Sequence, residues 1–76
     1  MGATVSRNAA LARVRRSLNR DGYYLSIQRN ERAVMEYGRY WVMDCSNALF
    51  VEGHNFLEDL AKSCEVLRPG ERVEED

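Results

Sequence analysis

Three strand-like segments follow one another with links too short for a parallel crossover, which confines them to antiparallel pairing. Tyr23 to Gln28 alternates, with Tyr23, Leu25 and Ile27 on one face and Tyr24, Ser26 and Gln28 on the other. That is the pattern of a half-buried strand. Arg39 to Met43 is rich in aromatic and β-branched residues and reads as the second strand. Asp44-Cys45-Ser46-Asn47 is turn chemistry. Ala48 to Glu52 then reads as the third strand, ended by Gly53. Between the first two strands, Arg29 to Arg32 is polar and turn-like. Ala33 to Tyr37 is ambiguous between a strand extension and a helical turn.

Helical patterns flank the strands. Ser6 is a candidate N-cap for a helix over 7–20, whose apolar stripe is Leu11, Val14 and Leu18. Gly22 suits the left-handed position after it. Near the other end, Asn55 and Glu58 have capping-box spacing. Leu57, Leu60, Ala61 and Cys64 make the core stripe of a second helix. The expected fold is α+β, a two-layer α-β-β-β-α domain. Its three-stranded antiparallel meander carries two helices on one face. The domain is expected over residues 6–68, with a flexible N-terminus at 1–5 and a charged C-terminal tail at 69–76. A chain of 76 residues buries only about 60% of its unfolded surface, so its stability is expected to be marginal or helped by a partner.

The near-neutral total charge conceals a division. Residues 1–40 hold eight arginines against three acids, and residues 41–76 hold three bases against nine acids. Such asymmetry bears on partners rather than on fold. Arg13, Arg16 and Arg20 recur along the outer side of the first helix and are the candidate charge-bearing contact residues. Arginine suits bidentate contacts to carboxylate or phosphate. An acidic protein surface is favoured as their partner, and solvation or internal pairing is the plain alternative.

Two helices can cover only one sheet face, yet the second and third strands are apolar at nearly every position. Tyr24, Trp41, Met43 and Phe50 are therefore the candidate apolar contact on the open face, in a homodimer or with another protein. The alternative is that the segment 29–38 folds over that face.

No catalytic or metal-binding pattern emerges, and neither an enzyme nor a cofactor is expected. Cys45, His54 and Cys64 match no zinc spacing. The five glycines are scattered and build no phosphate loop. No run of 18 apolar residues suggests a membrane span, and the N-terminus lacks a signal peptide's apolar core, so the cytoplasm is expected. Gly2 and Ser6 nominally fit an acylation pattern, but Ser6 has a better use as a cap. No small-molecule substrate is implied.

The α-β-β-β-α order is that of double-stranded-RNA-binding domains. Those carry a basic cluster at the start of the second helix, where this chain has Glu58 and Asp59, so membership is rejected. The runs Arg7 to Arg16, Tyr37 to Asp44, Phe56 to Ala61 and Glu65 to Pro69 resemble a group of short uncharacterised proteobacterial proteins, often met in prophages and other mobile elements. The resemblance implies a bacterial accessory protein without catalytic residues, and it keeps open an inhibitor of a host defence complex. The leading expectation is a non-enzymatic protein-interaction module. A nucleic-acid-binding regulator using the arginine helix is the alternative.

Overall fold

The computed structural model describes residues 3–74. The acylation pattern at Gly2 and the end of the acidic tail lie outside them. The element order is β1 (Thr4–Val5), α1 (Arg7–Arg20), β2 (Tyr23–Ile27), α2 (Glu31–Tyr37), β3 (Tyr40–Asp44), β4 (Phe50–His54), α3 (Leu57–Ser63) and β5 (Arg72–Val73). β2, β3 and β4 form the antiparallel meander in sequence order, and β1 pairs with β5 in parallel. The class is α+β.

Local chemistry sets the boundaries of α1. The Ala9 N–H donates to Ser6 Oγ at 3.2 Å, which closes the first turn. Gly22 follows the C-cap residue Asp21 with φ +88°. The buried side is wider than the Leu11–Val14–Leu18 stripe and includes Ala10 and Ser17, because α3 packs along that shoulder.

The third strand lies later than the expected 48–52. Asp44 Oδ1 accepts from the Ser46 N–H and hydroxyl, and Asn47 Oδ1 accepts from the Leu49 N–H. These side chains hold Ala48 (φ 56°) and Leu49 in the hairpin loop. An irregularity at Val42/Met43 then pairs Val42 with Glu52 and Met43 with Phe50, which leaves Val51 unpaired.

The polar run at 29–32 is not merely a turn. Asn30 Oδ1 accepts from the Arg32 and Ala33 N–H groups at 2.9 and 3.3 Å and so caps a third helix, α2. α3 starts later than expected. Phe56 occupies its cap position without a side-chain bond, so the capping box expected of Asn55 and Glu58 does not form. Its C-terminus closes with Val66 N–H to Ala61 O and Glu65 N–H to Lys62 O. This is a Schellman motif that holds Glu65, not a glycine, at φ 57°.

α1 and α3 lie on the face of the sheet that carries Tyr40 and Val42. With Leu11, Val14, Leu18, Leu57, Leu60 and Ala61 these residues form the sealed core. Within the described residues, the expected loose ends are corrected. Val5 and Val73 are 6% and 9% exposed and join the core, and β1 holds β5 through Arg72 N–H to Ala3 O and Glu74 N–H to Val5 O. Two carboxylates fasten this seam. Glu58 Oε1 accepts from the Val73 N–H and Arg72 Nε, both at 2.9 Å. Glu71 Oε1 accepts from the Arg68 N–H at 2.7 Å and Arg13 Nη1 at 3.0 Å. These backbone donors, aided by the arginines, hold both carboxyls below the ordinary glutamate range. Residues 71–74 are therefore docked because apolar burial and charge-assisted hydrogen bonds act at the same place.

Candidate interaction surfaces

The register puts the four apolar candidates on one side of the sheet. Tyr24 is opposite Met43, Met43 is opposite Phe50, and Trp41 is next along β3 on the same face. The intervening Tyr40 and Val42 are 4% and 3% exposed on the opposite, helix-covered face.

That open face is not bare. α2 lies over one end and contributes Tyr37, a residue the pattern reading did not single out. Tyr37, Trp41 and Phe50 form a closed triangle of rings, with centroids 5.9, 5.3 and 5.1 Å apart. Edge-to-face and tilted packing of this kind adds to the effect of area burial. Trp41 Nε1 donates to Gly38 O at 2.8 Å, so the indole is oriented as well as stacked.

Two glycines permit the arrangement. A side chain at Gly53 would run into the Tyr37 carbonyl, and a Cβ on Gly38 would stand 2.7 Å from the His54 carbonyl. Gly38 also adopts φ +93°. The two glycines were the available sequence signal that α2 comes down onto β4. Even so, Phe50 remains 40% exposed and Tyr37 54%, with Leu49 in the adjoining hairpin at 62%. The segment 29–38 covers an end of the face and leaves much of the aromatic surface open.

The arginine row divides. Arg13 is half-buried and engaged within the molecule, with Nη1 donating to Val66 O at 3.2 Å and to Glu71. Its role is to tie the C-terminal segment to α1. Arg16 and Arg20 are exposed and form no ion pair among the described residues. All three border one open cleft together with Ser17, Val66 and Arg68.

α1 and the aromatic triangle therefore occupy opposite sides of the sheet. The arginines and the rings do not form one continuous surface.

The remaining chemical candidates are dispersed. Cys45 is exposed in the hairpin, while Cys64 is half-buried beside α1. Burial, then the charge of Glu52, pushes the Cys64 thiol up, against a hydrogen bond with Ser17. A raised pKa leaves little thiolate for nucleophilic attack. His54 Nε2 contacts Glu52 Oε2 at 2.5 Å. No cluster of three or more His, Cys, Asp or Glu suited to a metal occurs among the described residues. No helix is long and apolar enough to cross a membrane among them.

No family model, curated protein or solved structure matches this chain.

Proposed function

We propose that the chain is a small non-enzymatic interaction module whose open sheet face docks against protein, with a second copy of itself as the first partner to test. One observation carries this reading. The ring triangle Tyr37–Trp41–Phe50 is fixed in place by packing and by the Trp41–Gly38 hydrogen bond, yet it remains half open to solvent.

A preorganised aromatic group loses little side-chain freedom on binding, and such anchors dominate many interfaces. Met43 and Tyr24 extend the patch along the sheet, and Leu49 extends it into the hairpin. A twofold pairing of such faces would bury the same residues on both copies. The separation of arginines from aromatics favours this over a nucleic-acid regulator, which would use both to hold one strand.

Sedimentation velocity over a wide concentration range tests the proposal. The expected result is a concentration-dependent dimer that Phe50→Glu abolishes while the monomer stays folded. A single monomeric species at every concentration overturns self-association.

A further inference from the structure

We infer that the cleft between α1 and the segment 66–68 is a binding site for a phosphate group on a compact ligand. Arg13, Arg16 and Arg20 approach it from successive turns of α1, and Arg68 approaches from the C-terminal segment. Ser17 and Val66 complete the wall of an open space of about 370 Å³.

Four arginines lining one cleft raise the local positive potential, which is unfavourable unless it is compensated. Glu71 supplies the compensation closest to hand. It accepts from Arg13 and from the Arg68 N–H, and with 13% side-chain exposure it stands behind the cleft as a positioning residue. Arg13 is further fixed by its bond to Val66 O. Arg16, Arg20 and Arg68 form no ion pair with a described residue, so their donors remain available.

The charge calls for a multiply charged anion, and the donor geometry selects among such anions. Four guanidiniums and one carboxylate leave about three positive charges, more than one carboxylate can match. A phosphomonoester carries about 1.5 to 2 negative charges at neutral pH and presents three acceptor oxygens. Its tetrahedral oxygens can meet donors from two elements at once, and guanidinium forks suit it geometrically. The cleft lies across the sheet from the aromatic triangle, so this site does not depend on the proposed protein contact.

The test follows arginine side-chain N–H resonances during titration with inorganic pyrophosphate at constant ionic strength, with citrate and a single-stranded oligothymidylate as parallel arms. The expected result is saturable shifts at Arg16, Arg20 and Arg68 with pyrophosphate, and weaker shifts with citrate. The double variant Arg16→Gln/Arg68→Gln should weaken binding at least about tenfold, as loss of two charge-assisted contacts implies, without moving the melting temperature. Phe50→Glu should leave binding intact. Non-saturating shifts, or an equal response to citrate, overturn the phosphate assignment. Tighter binding of the oligonucleotide with a salt dependence of several ions overturns the compact ligand in favour of a nucleic-acid backbone.

Discussion

The two faces of the sheet are built from alternate residues of the same strands, yet they are finished differently. The helix side is closed with aliphatic side chains from α1 and α3, and Leu57, Leu60 and Val14 are fully buried there. The other side is finished with rings that pack mainly on one another under a single short helix. Close packing of the first kind maximises burial per residue and tolerates little change. The second keeps its shape through ring geometry and one indole hydrogen bond while leaving area free for contact. A chain this small closes one face and leaves large apolar side chains exposed on the other.

The largest effect should come from breaking the sealed side. Leu57→Ala should cost about 3 kcal/mol through lost burial and a residual cavity, read by urea denaturation. Phe50→Ala on the open face should cost less, about 1.5 kcal/mol, because that residue is already 40% exposed and loses mainly its ring contacts. Equal losses at the two sites would erase the contrast.

Gly53→Ala tests what holds α2 down. The added methyl meets the Tyr37 carbonyl, and overpacking of this kind costs about 2 kcal/mol. The expected signature is a red-shifted Trp41 emission as the triangle opens, with the helix side unchanged.

A gain is expected at Glu65. Replacing it with glycine relieves the left-handed backbone and should add roughly 0.5–1 kcal/mol, measured as a raised urea midpoint.

The smallest effect should be acid loosening of the seam that seals the helix side. Glu58 and Glu71 titrate below the ordinary range in the folded chain. Their contribution is therefore present above the unfolded value of about 4.3 and is lost as pH falls through the lower folded values. Amide protection factors at Val73 and Glu74, corrected for the intrinsic exchange rate at each pH, should fall over that interval before the ring triangle responds.

Periodicity carried much of the fold. The span of α1 was readable because Ser6 and Gly22 mark both ends and the apolar spacing between them is regular. The parity of β2 was readable from strict alternation. Where legibility failed, side chains had two competing uses. Asn30 looks like a turn residue and is a helix cap, and Glu58 looks like a cap partner and fastens the C-terminal seam. Glu65 hides a helix end because glycine usually occupies that conformation. The short strands β1 and β5 have no local signal, since a two-residue strand is specified by its distant partner.

At the surfaces, Trp41, Met43, Phe50 and Tyr24 could be named as candidates. The near-continuous apolar runs of the second and third strands left the parity open, and Phe50 meets Met43 only through the irregularity at Val42/Met43. Tyr37 could not be named, because its position depends on where α2 lands. The arginine row was visible, but the engagement of Arg13 with Glu71 depends on the chain returning to α1 across 58 residues.

The parallel pairing of β1 with β5 also has a mechanical consequence. Traction applied through the two ends of the described chain would act along this ribbon in opposite directions. Its Ala3–Arg72 and Val5–Glu74 bonds would then be sheared together rather than peeled one after another. A tether at each terminus would strain the molecule first at this latch.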